Sequence, residues 1–151
     1  MKHISVNGGG GLETFTSRLV LDMNWPGKLY TQNGLTLDFS KPPEYRGIRN
    51  TMSPEDAFVS SIITCLACTF DSIATKMRLK VSRYESEGTG TVDNVNGVVK
   101  FSKITVGVRI VIPKETNRDS VKKAIERAQA NCLVSVSVSS PIEYNVEILS
   151  E

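Results

Sequence analysis

Three cysteines are the residues of this chain best suited to chemistry. Cys65 and Cys68 form a C-x-x-C, and Cys132 stands far along the chain in the run Asn131-Cys132-Leu133-Val134-Ser135. A C-x-x-C invites a dithiol–disulfide reading, but such sites draw their acidity from a helix N-terminus. Cys65 instead falls in the middle of the predicted helix, outside that field. Zinc would need Cys65, Cys68, Cys132 and the lone His3, at spacings unlike those of known zinc motifs. A free cysteine also serves as a small buried hydrophobe, which is the plain alternative for Cys68. A sensor disulfide between Cys65 and Cys68 stays open.

The helix that must position two of these thiols is the stretch Ser53 to Leu79. Ser53 is suited to the N-cap and Pro54 to the first helical position, where its missing N–H costs nothing. Glu55 and Asp56 place negative charge against the positive end of the dipole, and Lys76, Arg78 and Lys80 gather at the other end. No charged residue occurs from Ala57 to Phe70. A helix without a wet face is expected to be buried. That uncharged run is short of the roughly 20 residues of a membrane span.

Composition narrows the class. The 151 residues suffice for one domain, and 18 basic against 16 acidic residues leave a net charge of +2 with no dense basic block. Nucleic acid and anionic membrane are therefore not expected partners. The segment MKHISVNGGGGL lacks the apolar core of a signal peptide, so a cytoplasmic location is expected, where free thiols persist.

In chain order, residues 1–12 with their glycine run are expected to be a flexible arm, and 13–151 a single domain. Phe15, Leu19, Leu21, Met23 and Trp25 alternate with polar residues as a first strand, ended by Pro26-Gly27. Lys28 to Gln32 and Leu35 to Phe39 flank Asn33-Gly34, a signal for a two-residue type I′ hairpin. Ser40 to Met52 is a loop carrying Arg46 and Arg49. Lys80 to Thr91 and Val99 to Ile112 read as a second hairpin around Asp93 to Gly97. Asn117 or Asp119 caps a shorter helix whose Val121, Ala124, Ile125 and Ala128 share one face. The Val-Ser alternation to Ser139 fits either a strand or a short helical turn, and Ile142 to Ile148 alternate as a last strand. The order β-β-β-α-β-β-α-β is an α+β pattern, a largely antiparallel sheet wrapped around a long buried central helix.

Ser53-Pro54-Glu55 followed by Cys65-Leu66-Ala67, with the later Cys132-Leu133-Val134-Ser135, resembles the OsmC/Ohr family of thiol peroxidases, which carry an N-P-E or S-P-E helix opening, a helical cysteine and a later C-P-x-S. The resemblance extends to the order of elements along nearly the whole of residues 13–151. It implies reduction of organic hydroperoxides, with Cys65 as the peroxidatic cysteine that becomes a sulfenic acid and Cys132 as the resolving cysteine that condenses with it. It also implies a dithiol reductant, no metal or organic cofactor, and an activating arginine held by the glutamate that Glu55 matches. Cys65 and Cys132 must then bring their Cα atoms within about 7 Å.

Glu55 lies about 15 Å up the helix from Cys65, too far to reach that thiol from the same straight helix. An antiparallel second copy brings it there, so an intertwined homodimer is expected. The other reading of Glu55 is a simple helix N-terminal charge. The sequence departs from the family at two positions. The family arginine falls near Trp25, leaving Lys28, Arg18, Arg46 and Arg49 as the cations available, and Leu133 stands where proline is usual. A family fold that binds a small apolar ligand at the dimer interface, with inert thiols, is the alternative function.

Overall fold

The computed structural model describes residues 13–151, which divide into two compact units after Ser53. The expectation of a flexible arm at 1–12, and His3 with it, lies outside the described residues. Elements follow the expected order: β1 (Ser17–Val20), β2 (Gly27–Thr31), β3 (Thr36–Phe39), α1 (Pro54–Lys76), β4 (Arg83–Val95), β5 (Val98–Ile112), α2 (Arg118–Asn131), α3 (Leu133–Val136) and β6 (Ile142–Ser150). A single 3₁₀ turn, Pro43–Tyr45, interrupts the loop before α1.

In the N-terminal unit β1, β2 and β3 form an antiparallel meander. Two expectations need correction. The first strand is only four residues long, with all four residues solvent-exposed, and the chain turns at Met23 (φ 60°) before Trp25. The Asn33-Gly34 turn is not type I′, since only Gly34 has a positive φ, of 91°. Gly34 N donates to Thr31 O at 3.0 Å and Thr31 N to Leu35 O at 2.9 Å. That pattern is a three-residue loop closed by a glycine bulge.

The second unit holds the larger core. Its sheet runs β4-β5-β6, with β4 and β5 antiparallel but β5 and β6 parallel, so the sheet is mixed. The type I′ turn occurs here, at Asn96 (φ 54°) and Gly97 (φ 85°), and the strands run longer than the sequence suggested, to Val95 and from Val98. Along the central β5, Ile104, Val106, Val108, Ile110 and Ile112 alternate into the core. They meet Ile62, Leu66, Phe70 and Ala74 of α1 and Val121, Ala124, Ile125 and Ala128 of α2. Each Val, Leu, Ile or Phe side chain among them contributes about 1.5–3 kcal/mol on full burial. Asn117 caps α2, its Oδ1 accepting from Ser120 N at 2.8 Å.

Burial of α1 is one-sided in the single chain. Thr64, Cys68, Asp71, Ser72 and Thr75 are exposed, so the expectation of a helix without a wet face does not hold for the chain alone. Most hydroxyls of the helix bend back onto its own carbonyls: Thr64 Oγ1 donates to Ser60 O at 2.7 Å, Thr69 to Cys65 O at 2.8 Å and Ser72 to Cys68 O at 2.9 Å. A hydroxyl satisfied in this way presents mainly its carbon face. At 23 residues α1 is also longer than its uncharged core, and by length and composition alone it meets the requirement for a membrane span. The length argument drawn from the sequence therefore does not exclude a span. The packing of its inner face against β5 and α2 is the observation that identifies it as a core helix.

Candidate active site

The thiol site is built where α1 meets the junction of α2 and α3. Cys132 closes α2 and precedes α3, with φ −67° and ψ 110°. The stretch after it, which the sequence left between strand and helix, is the short helix α3. The break carries Cys132 inward, where it is fully buried (0% exposed), while Leu133 and Val136 of α3 remain exposed (64% each).

Cys65, in the middle of α1, is half-buried and packs against the core cluster that holds Cys132, near enough for the two thiols to act on one another. Two cysteines far apart in the chain are thus brought together. Cys68, on the same helix, faces solvent. All three thiols are free. Among the described residues no group of three His, Cys, Asp or Glu side chains is assembled that could hold a metal ion.

Burial pushes the Cys65 thiol above its ordinary value. The backbone amide of Val134 and the hydroxyl of Thr69 pull it back in part, and Cys132 adds to the rise. Among the described residues no Lys, Arg or His is among the groups acting on Cys65. Lys28 is engaged within its own unit by Asp38, whose hydrogen bond raises its pKa, and Arg18 lies over the Tyr30 ring at 4.6 Å. Arg46 and Arg49 are exposed on the loop before α1, and neither forms an ion pair among the described residues.

Glu55 sits in the first turn of α1 with one carboxylate oxygen, Oε2, buried and without a hydrogen-bond partner. Among the described residues two further buried polar atoms share this condition, Tyr84 Oη and Ser135 Oγ. Thr69 and Tyr84 were not singled out from the sequence, and Val134 entered only as part of the Cys132-Leu133-Val134-Ser135 motif.

Residues 47–147 match the family model described as OsmC-like protein. An uncharacterized protein of Methanocaldococcus jannaschii is 26% identical over 101 residues, 66% of this chain, and the chain spans about half (51%) of that relative's length. An OsmC-like protein of unknown function from Vibrio cholerae superposes with a TM-score of 0.83 at 19% identity, covering 90% of this chain and 100% of its own. An organic hydroperoxide resistance protein from Legionella pneumophila does so with a TM-score of 0.68 at 17% identity, covering 93% and 99%. These structures share the fold, and the matched segment runs from the loop before α1 into β6, so the chain belongs to the OsmC-like family.

Proposed function

We propose that this chain is a cysteine-based peroxidase for organic hydroperoxides. The observation that carries the reading is the meeting of a half-buried Cys65 with a sealed Cys132. The Cys65 thiolate attacks the terminal oxygen of the hydroperoxide, the O–O bond breaks, and the alkoxide leaves as an alcohol with the proton of the thiol. Cys65 is then a sulfenic acid. Cys132 attacks its sulfur, water departs, and a dithiol reductant restores both thiols. Exposed Leu133 and Val136 beside the thiol pair favour an organic peroxide over hydrogen peroxide. The chemistry runs on thiols alone, in a reducing compartment such as the cytoplasm.

A homodimer belongs to the same proposal. The open face of α1 and the unpartnered Glu55 Oε2 support it, since an antiparallel second copy can cover the first and bring a carboxylate toward the thiol. Neither nucleic acid nor membrane is a proposed partner. Reduced protein mixed with one equivalent of cumene hydroperoxide is expected to lose its free thiols, and Cys65→Ser to react no faster than peroxide with buffer. Thiols that persist in the wild type would overturn the reading.

A second reading has one specific observation in its favour: no cation among the described residues acts on Cys65. In it the fold binds a small apolar ligand at the dimer interface and Cys65 stays inert. Native mass spectrometry with a retained ligand, together with resistance of Cys65 to iodoacetamide, would support it.

A further inference from the structure

The unequal burial of the thiol pair bears on its reduction as much as on its oxidation. Cys132 belongs to the core cluster with Leu66, Phe70 and Ala128, and it is fully buried. Cys65 packs against that cluster from outside and keeps part of its surface open. In thiol–disulfide exchange a thiolate approaches one sulfur from the side opposite the S–S bond and expels the other, so access decides which sulfur is attacked. For Cys132 that side is core, and no part of the residue is open. For Cys65 it is the outer side of α1.

We propose that the reductant attacks the bridge at Cys65 alone, so that the sulfur which meets the hydroperoxide also carries the mixed disulfide, while Cys132 serves only as the internal leaving group. The proposal rests on the peroxidase reading above, whose product is that bridge. A thiol of the reductant loses its proton and bonds to Cys65 Sγ. The Cys65–Cys132 bond breaks, and its electron pair passes to Cys132 Sγ, which takes up that proton. The reductant's second thiol then attacks the reductant's own sulfur, closes a cyclic disulfide and releases Cys65, which takes the second proton. Two electrons leave the dithiol and two reach the cysteine pair. The freed Cys132 stays beside the mixed disulfide and competes as an internal nucleophile. A single thiol is thereby expelled again, whereas a dithiol departs as its own disulfide.

The test locates the mixed disulfide. Wild type is oxidised with one equivalent of cumene hydroperoxide, or in parallel with diamide, and the exposed Cys68 is blocked with iodoacetamide. Limiting mercaptoethanol is added, and samples are quenched at intervals into guanidinium chloride containing N-ethylmaleimide and mapped by mass spectrometry. Mercaptoethanol is expected on Cys65 and maleimide on Cys132, in about tenfold or greater excess over the reverse pattern. Because reclosure shortens the life of that adduct, the same path is also followed backward, with 2-hydroxyethyl disulfide and the reduced variants Cys132→Ser and Cys65→Ser, each shown to be folded by circular dichroism. Cys65 should take the adduct about tenfold or more faster than Cys132. Mercaptoethanol on Cys132 at an equal or greater level, or equal labelling of the two variants, would overturn the proposal and leave the peroxidase reading intact. A bridge formed by diamide but not by hydroperoxide overturns the peroxidase reading alone, and a pair that neither reagent bridges overturns both.

Discussion

Cys65 and Cys132 are neighbours of unequal exposure: one thiol half-buried on the middle of α1, the other fully buried at the break between α2 and α3. This asymmetry suits a division of labour, with a sulfur that meets the oxidant and a sulfur that is kept from it. Peptide mapping after one equivalent of hydroperoxide should recover a Cys65–Cys132 bridge and leave Cys68 alkylatable. Because that bridge closes a long loop, urea unfolding of the oxidised chain should exceed the reduced chain in stability by up to about 4 kcal/mol. A Cys65–Cys68 bridge would close only a very short loop and add less than half as much, about 2 kcal/mol at most.

The pH dependence follows from the direction of two shifts. Burial raises the Cys65 thiol above its ordinary 9.0 and the Tyr84 phenol above its ordinary 10.0 in the folded chain. In both cases the unfolded chain releases its proton first, so stability is full below the ordinary values and declines as pH rises through the raised ones. Urea midpoints measured from pH 7 to 11 should therefore fall above pH 9. Cys65→Ser should flatten the early part of that decline, and Tyr84→Phe the later part. Equal slopes in all three proteins would contradict the burial argument.

Local periodicity explains what was legible before the structure. Val106 to Ile112 on β5 and Val121 to Ala128 on α2 carry strict periods, and they are buried as those periods require. Asn33-Gly34 misled, and the Val-Ser run stayed open between strand and helix, because each fits two backbones. In the first, the partner strands select a three-residue loop, and in the second, contact with α1 selects a helix. The approach of Cys132 to Cys65 has no local signature at all, and it was expected only through the resemblance to the family. The unpaired hydroxyl of Tyr84 is wholly tertiary. Whether a donor finds an acceptor depends on neighbours that only folding brings together.

Two glycines in the second sheet are expected to respond oppositely to alanine. A Cβ on Gly88 would stand 2.8 Å from Ile63 Cγ2 and 2.8 Å from Val59 Cγ1, both β-branched side chains of α1 with little rotameric freedom. Gly88→Ala should therefore cost about 1–3 kcal/mol by forcing α1 off the strand. On Gly107 the same atom would meet only Glu87 O, at 3.9 Å. Gly107→Ala should be neutral or stabilising by about 0.4–1 kcal/mol, since it restricts the unfolded chain. Urea titration of both variants checks the contrast.

Leu133 occupies the position where the family pattern has proline, and the backbone is ready for the substitution. Cys132 is already extended (φ −67°, ψ 110°), as a residue before proline prefers, and Leu133 opens α3, where a missing N–H breaks no helical bond. No backbone hydrogen bond from Leu133 N to another loop or cap group is present, and the side chain is 64% exposed. Leu133→Pro should thus change stability by no more than about 0.5 kcal/mol, and the rate of disulfide closure should stay within twofold of wild type, roughly the 0.4 kcal/mol expected of an unaltered barrier. The departure from the family pattern then lies in the side chain at the mouth of the site rather than in how Cys132 is presented. A loss above about 1 kcal/mol, or closure slowed tenfold with the fold intact, would instead place the difference in the backbone.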